Sequence, residues 1–244
     1  MIKLIMLGGK NMNKKFKFIL TLSLLFMLCA CQIKKNGEVI YSDSNVKLNY
    51  ELKEENGKMI YEIENNKYVE TEKRTKLVKI EMENDGVIIA ELLDEYAPIT
   101  VENFQNLVES KYYDGIIFHR VIEDFMIQGG DPTGTGTGGS DKTIKGEFKA
   151  NGVNNTLSHT RGVLSMARKG SNPETEATMN SGSSQFFIVH NDSTFLDGNY
   201  AAFGKVVAGM DMVDKIAAVQ TDSYDKPLND QKMKSIRFVE KLGE

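Results

Sequence analysis

The chain has 244 residues, of which 41% are hydrophobic and 26% charged, a composition that excludes a disordered or collagen-like protein and suits one globular domain with extensions. The first 31 residues contain five lysines and no acidic residue, so the rest has 25 basic against 34 acidic residues and a formal charge of −9. This acidic balance argues against nucleic-acid binding, which needs clustered Lys and Arg.

Cysteine and histidine are too few and too scattered to predict a metal centre. The only cysteines, Cys29 and Cys31, end one apolar run, and none of His119, His159 and His190 is four residues from another, as a helical metal pair would be. We therefore expect no metal site, no disulfide in the main domain and no cofactor.

The N-terminus has the pattern of an export signal. Lys14, Lys15 and Lys17 precede 13 apolar or small residues, Phe18 to Ala30, a run too short for a comfortable membrane span of about 20 residues. Its end resembles a bacterial lipobox, in which a small residue precedes a cysteine that is lipidated. Cys31, which follows Ala30, fits this role, and the interpretation predicts an extracytoplasmic protein anchored to a membrane by lipid. An ordinary signal peptide or an uncleaved anchor is the alternative.

Residues 1–31 are thus interpreted as leader and signal peptide, and translation is hypothesised to start within them. The two glycine codons at Gly8 and Gly9 read GGAGG when adenine is the third base, which is a ribosome-binding sequence shortly before the codon of Met12. Met12 is the hypothesised start, and any N-terminal peptide containing Lys3 would exclude it.

Residues 32–76 are polar and charged, and we interpret them as a polar tether or a small ordered extension. Apolar and polar residues alternate from Lys58 to Glu70, which predicts a β-hairpin with Asn65–Asn66 as its turn.

The main domain is expected to span residues 77–244. Val78, Ile80 and Met82 alternate before an Asp85–Gly86 turn, which predicts a β-hairpin. An amphipathic helix with Thr100 as N-cap and an end near Gly115 follows, and a second is predicted over Met210 to Val219. Between the helices, short apolar runs separated by glycine favour a closed or sandwich-like sheet. The pattern predicts an all-β domain with two covering helices.

Four sequence blocks in this domain resemble, in order and spacing, the signature blocks of the cyclophilins, which are peptidyl-prolyl cis-trans isomerases. The resemblance runs from about Leu77 to Leu242, and the blocks are "FHRVIEDFMIQGGDPTGTGTGG", "RGVLSMAR", "GSSQFFIV" and "FLDGNYAAFGKVVAGMDMVDKI". It implies a mainly β fold, a closed antiparallel barrel of eight strands with two covering α-helices, that works as a monomer without a cofactor on proline-containing polypeptides.

The implied reaction needs a hydrogen-bond donor and an apolar slot rather than a nucleophile. Rotation about an X-Pro amide has a barrier of about 18–20 kcal/mol and is slow without a catalyst. Arg120 fits the donor because a guanidinium offers five N–H groups and stays charged. The resemblance makes Arg120 the catalytic arginine and has Gln128 orient it. The alternative is a structural arginine neutralised by Glu123 or Asp124.

The resemblance also assigns the substrate-binding positions. It places the proline between apolar residues, has Gln185 contact the peptide backbone, and has the main chain at two positions bind substrate. Phe195 stands where many members have tryptophan, and Tyr200 where many have histidine. The full set is Phe125, Met126, Ala167, Arg168, Gln185, Phe187, Phe195, Leu196 and Tyr200. Phe186 and Ile188, which flank Phe187, are expected to point into the core.

Three neighbouring features have structural interpretations. His119 should face away from Arg120 by strand alternation and be hydrogen-bonded within the fold. The "GTGTGGS" run lacks the ending of a phosphate-binding loop and is expected to be a flexible loop beside the cleft. Residues 169–183 form a polar insertion that either screens substrates or, as we favour, is solvated without a role.

The leading hypothesis is a lipid-anchored isomerase that accelerates X-Pro isomerisation in exported proteins and so assists their folding. A proline-peptide binding or holdase module with incidental isomerase activity is the alternative from another class. A hydrolase is disfavoured because the sequence has no Gly-x-Ser-x-Gly motif and no histidine with an evident nucleophile partner.

Overall fold

The computed structural model describes residues 31–35, 38–42 and 49–243, in two units, Met1–Val46 and Lys47–Glu244. In the first unit, strands β1 (Cys31–Lys35) and β2 (Glu38–Ser42) pair antiparallel. The predicted signal segment and the hypothesised start at Met12 lie outside the described residues. The backbone of Cys31 begins β1, and its lipidation stays a prediction.

The second unit begins with a three-stranded meander that we call the extension: β3 (Glu51–Glu55), β4 (Lys58–Ile63) and β5 (Asn66–Glu70). The predicted hairpin is present as β4–β5, but its turn is Glu64–Asn65, both with positive φ, because Asn66 already pairs with Ile63. Part of the polar segment, the extension, is thus a set of paired strands.

Eight antiparallel strands close into a barrel in the order β13-β6-β7-β12-β10-β11-β9-β8, with β8 pairing back to β13. This confirms the closed eight-stranded barrel. Its strands are β6 (Leu77–Met82), β7 (Val87–Leu92), β8 (Ile117–Ile122), β9 (Met126–Gly129), β10 (Val163–Met166), β11 (Phe186–Val189), β12 (Ala201–Ala208) and β13 (Gln231–Leu242).

Two helices cover the barrel, as predicted, with shifted ends. Helix α1 (Pro98–Glu109) packs on β12 and β13, and α3 (Met210–Ala217) packs on β7, β8 and β9. The N-cap of α1 is Ala97, so the prediction of Thr100 was wrong; Thr100 lies in the first turn, where its hydroxyl donates to Glu147 at 2.7 Å. A short helix, α2 (Glu176–Met179), lies in the insertion and was not predicted.

Strand β7 is buried on both faces. Ile88 and Ala90 face the barrel core, whereas Val87 and Ile89 belong to a second apolar cluster with Ile63 of the extension. The extension joins the barrel through β5, which pairs with the C-terminal part of β13. Residues that would otherwise be an outer barrel surface are thus core residues of a larger domain.

A buried lysine ties the extension to the barrel. The fully buried Lys79 of β6 forms ion pairs of 2.5 Å with Glu70 of β5 and with Glu81, and its Nζ lies 3.6 Å from the centre of the Tyr61 ring. Burial opposes the ionisation of Glu81, but Lys79 and Lys234 outweigh it and lower its pKa. Because a buried charge is costly without its partners, Lys79 needs the extension in place.

Candidate functional site

A cleft of about 490 Å³ opens on one side of the barrel and collects nine of the eleven expected catalytic and substrate-binding residues. Of the other two, Gln185 lines an adjoining cavity, and the 70% exposed Phe195 packs on Phe125 with ring centres 5.5 Å apart. The nine are Arg120, Phe125, Met126, Gln128, Ala167, Arg168, Phe187, Leu196 and Tyr200.

The floor of the cleft is an apolar cluster separate from the barrel core. Met126, Phe187 and Leu196 are buried in it, and the Tyr200 ring meets Phe187 edge-on at 5.9 Å. Phe186 and Ile188 belong to the barrel core, as strand alternation predicts. The cleft therefore has an apolar floor with aromatic residues, against which an apolar ring can pack; we call this part of the cleft the slot.

Arg120 lies at the mouth of this slot, and its partner is one that we did not predict. Its Nε donates to Oδ2 of Asp225 at 3.2 Å, and both side chains are 42% exposed. The structural alternative named Glu123 or Asp124, which was wrong. Nε carries one of the five guanidinium N–H groups, and no other hydrogen bond of the Arg120 side chain occurs within residues 49–243. Arg120 lines the cleft, and its terminal nitrogens have no hydrogen-bond partner among these residues.

Gln128 does not orient Arg120 as expected. Although the two residues are paired across β8 and β9, Nε2 of Gln128 donates to Oε1 of Gln185 at 2.8 Å. Nε2 of Gln185 donates in turn to the carbonyls of Gly136 and Gly138, at 3.0 and 2.7 Å. Both Gln185 donor hydrogens are therefore engaged within the fold, and its contact with a peptide backbone stays a prediction.

The glycine-threonine loop after β9, residues 134–140, was expected to be flexible, but it is held by hydrogen bonds. The carboxylate of Asp131 accepts hydrogen bonds from the backbone N–H groups of Thr133, Thr135, Gly136 and Gly138. Although burial opposes its ionisation, these bonds lower the pKa of Asp131 to about 2. The amides that would cradle a phosphate are thus occupied by a carboxylate of the chain itself.

His119 lies in the wall of the cleft, contrary to both expectations for it. A β-bulge separates Phe118 from Arg120 in the pairing with β9, so the alternation that should turn His119 away is interrupted. His119 is only 5% exposed, and neither ring nitrogen has a hydrogen-bond partner within the described residues. Burial lowers the pKa of His119, which favours the neutral ring.

A second histidine has the serine and aspartate neighbours that the sequence did not reveal. Nδ1 of His159 lies 2.8 Å from Asp197, and its Nε2 lies 2.9 Å from the hydroxyl of Ser165. The expectation that no histidine has a nucleophile partner was therefore wrong. Ser165 is fully buried, however, so a substrate does not reach it, and the His159 ring stacks on Phe187 at 6.1 Å. This triad supports the floor of the slot.

The side chain of Arg168 braces the rim of the cleft. It donates to the carbonyl of Asn199 at 3.0 Å and to Glu174 of the insertion at 2.9 Å, and its guanidinium lies 4.8 Å from the centre of the Tyr200 ring. The insertion is thus attached to a cleft residue through an ion pair.

Three residues that line the cleft were missed altogether: Asp222, Tyr224 and Lys226. They belong to the 220–228 loop before β13. Its run of Asp, Ser, Lys and Pro indicates a turn but carries no signal of where the turn packs, because that is fixed by contacts with β8, about a hundred residues earlier.

The part of the chain that the structure describes has no group of three or more His, Cys, Asp or Glu side chains placed to hold a metal ion. Among the same residues, no helix combines the length and the apolar character needed to cross a bilayer.

The closed antiparallel barrel and its cleft define the fold and the site, and comparison with known proteins identifies the family. The family model for cyclophilin type peptidyl-prolyl cis-trans isomerases matches residues 77–238. The chain belongs to this family and carries its peptidyl-prolyl cis-trans isomerase domain.

Relatives and solved structures agree with this assignment. The chain is 45% identical over 149 residues to peptidyl-prolyl cis-trans isomerase ppi1 of Schizosaccharomyces pombe, covering 61% of this chain and 90% of that protein. It is 42% identical over 160 residues to peptidyl-prolyl cis-trans isomerase-like 1 of Aspergillus niger, covering 65% and 93%.

A crystal structure of a cyclophilin type isomerase from Cryptosporidium parvum matches with a TM-score of 0.58 and 34% identity over 66% of this chain and 96% of that one. A structure of the same protein in the presence of the dipeptide Ala-Pro matches with a TM-score of 0.58, at 33% identity, over 66% and 97%.

Proposed function

We propose that this isomerase accelerates X-Pro isomerisation in exported proteins by stabilising the twisted amide without covalent chemistry. The observation that carries the proposal is that Arg120 lines the same cleft as the apolar residues Phe125, Met126, Phe187 and Leu196. A proline ring held in that slot brings its amide next to fixed N–H donors.

The mechanism rests on the change in the amide during rotation. When the amide twists, resonance is lost and the nitrogen regains its lone pair, which a nearby guanidinium N–H favours more than it favours the planar state. A preference of about 4 kcal/mol for the twisted state would raise the rate about a thousandfold. Arg120 is paired with Asp225 through Nε, which leaves its terminal nitrogens available to a ligand.

The substrates proposed are polypeptides containing proline. The Cryptosporidium protein was crystallised with Ala-Pro, and the apolar floor of this cleft suits the same ring. The protein is expected to act as a monomer.

The export setting and the membrane anchor are part of the proposal and rest on the N-terminal sequence. Lysines, a short apolar run and the Ala30–Cys31 pair support lipidation at Cys31. Metabolic labelling with a fatty-acid probe tests this. The label should persist in Cys29→Ser, which serves as the matched control, and disappear in Cys31→Ser; labelling that survives Cys31→Ser would exclude this anchor.

A binding or holdase role is the second candidate, and the exposed rim of the cleft favours it. Phe195 is 70% exposed and Tyr224 85% exposed, so the apolar surface continues beyond the slot. Complementing a deletion strain with Arg120→Ala separates the candidates. Failure to rescue supports catalysis in the cell, whereas full rescue by a variant shown to be inactive supports binding alone.

A further inference from the structure

The 220–228 loop, which the sequence did not connect with catalysis, contacts Arg120 directly. We propose that Asp225 is a positioning residue that holds the guanidinium of Arg120 in its working orientation. The hydrogen bonds of the loop fix the position of Asp225 for this role. The inference rests on the proposed role of Arg120 and adds a second residue to it.

The loop holds its own shape without help from Arg120. At its base, the N–H of Leu228 donates to the carbonyl of Gln220 at 2.9 Å, and the N–H of Asp222 donates to the carbonyl of Lys226 at 2.8 Å. The Asp222 carboxylate accepts from the N–H groups of Tyr224 and Lys226, at 2.8 and 3.0 Å. Asp225 occupies the tight turn so formed, with a positive φ of 62°. The carboxylate of Asp225 is therefore presented from a braced turn.

Asp225 is also fixed relative to the strand that carries Arg120. Its backbone carbonyl accepts from the N–H of Val121 at 2.8 Å, and its side chain accepts from Nε of Arg120 at 3.2 Å. One residue thus contacts two consecutive residues of β8, through the backbone at one and the side chain at the other. The backbone contact fixes the position of the loop along the strand, and the carboxylate then fixes the orientation of the guanidinium group.

The use of Nε matters because of the shape of the guanidinium. This planar group has its Nε–H on one edge, so an acceptor there fixes the plane and leaves both terminal nitrogens free for a ligand. Without it, a long side chain exposed to 42% would sample several rotamers. Since both partners are partly exposed, solvent screens their attraction, and the role of Asp225 is to supply an oriented acceptor more than a charge.

This distinction gives a specific test with full-length protein purified in detergent. Asp225→Ala should lower kcat/KM for an X-Pro peptide about tenfold, because small misplacements of catalytic groups are costly, and leave peptide affinity within about twofold. Asp225→Asn, which keeps an acceptor oxygen, should stay within about threefold of wild type. Asp230→Ala, which removes the same charge from an exposed residue outside the cleft, is the matched control and should have no effect.

A double-mutant cycle separates positioning from a structural role. If Asp225 acts through Arg120, Asp225→Ala has no further effect on kcat/KM in an Arg120→Ala background. The Nε–Hε resonance of Arg120 in proton–nitrogen NMR spectra should also shift in Asp225→Asn, a readout that remains if the alanine variant fails to fold.

Three results would overturn the inference: wild-type kcat/KM in Asp225→Ala, an equal loss in the Arg120→Ala background, or an unshifted Nε–Hε resonance in Asp225→Asn. The first leaves the proposed function intact if Arg120→Ala itself is impaired. A wild-type protein without isomerase activity would instead refute both.

Discussion

Replacing Ile63 by alanine tests whether the extension is part of the folded domain, although the family match begins only at residue 77. Ile63 is 1% exposed and packs in the cluster that contains Val87, Ile89 and Val239 of the barrel. The substitution removes three carbon groups at about 0.8 kcal/mol each and leaves a cavity, so the expected loss is about 3 kcal/mol of the free energy of unfolding. For a unit of this size that corresponds to a fall in Tm of about 6–12 °C.

Urea unfolding followed by circular dichroism measures this loss. Ile99→Ala is the matched control, because Ile99 is 42% exposed on helix α1, and it should cost less than about 0.5 kcal/mol. The isomerase rate of folded Ile63→Ala should be near that of wild type, since no cleft residue belongs to its cluster. A loss no larger than that of the control would show that the extension is not docked on the barrel in solution.

Four further predictions concern the cleft and the histidines beside it. Phe187→Ala should lower kcat/KM at least about tenfold by opening the buried floor, whereas Phe195→Ala, at the exposed rim, should cost less than about threefold; equal losses would contradict the assignment of the slot. Ser165→Ala should keep isomerase activity within about threefold while losing about 1–3 kcal/mol of stability, and loss of activity in folded protein would implicate the serine chemically. Burial lowers the pKa of both His119 and His159 in the folded state. The unfolded chain therefore binds more protons than the folded chain as the pH drops from about 7.5 to about 5.5, and the free energy of unfolding should fall over that range. The isomerase rate should stay flat from about pH 7 to about pH 8.5, and a bell-shaped profile there would indicate general acid–base catalysis.

Local patterns predict the first hairpin and an all-β domain with two helices, whereas the closed eight-stranded barrel and the cleft residues are what the resemblance of the four blocks implies. Alternation in β6 and the Asp85–Gly86 turn specify a hairpin, and the four blocks carry nine residues to one cleft. The side chains of Phe186 and Phe187 point to opposite faces of β11, which follows from strand geometry alone.

The errors arise where one extra residue or a distant contact decides the geometry. A β-bulge at His119 interrupts the alternation of side chains along β8, and no pattern in the sequence predicts this bulge. The side chains of Gln128 and Gln185 form a hydrogen bond with each other, and residue type alone does not predict this pairing. The hydrogen-bond partner of Arg120 lies 105 positions away in a loop, whereas the acidic residues near it in the sequence are Glu123 and Asp124.

The extension illustrates the same limit for the fold. Its hairpin is predictable from local alternation between Lys58 and Glu70, but its docking depends on the C-terminal part of β13. The buried Lys79 is explained only when Glu70, Glu81 and Tyr61 are brought around it.

The central claim is that Arg120 stabilises the twisted amide, and the most direct test is the isomerisation rate of an X-Pro peptide with wild-type protein and Arg120→Ala. Arg161→Ala is the matched control, because Arg161 has the same side-chain exposure and forms an ion pair with Asp214 without lining the cleft. Arg120→Ala should lower kcat/KM about a hundredfold or more while peptide affinity changes less than about fivefold, and Arg161→Ala should stay within about threefold of wild type. A rate for Arg120→Ala near that of wild type, or a loss of affinity as large as the loss of rate, would contradict this account.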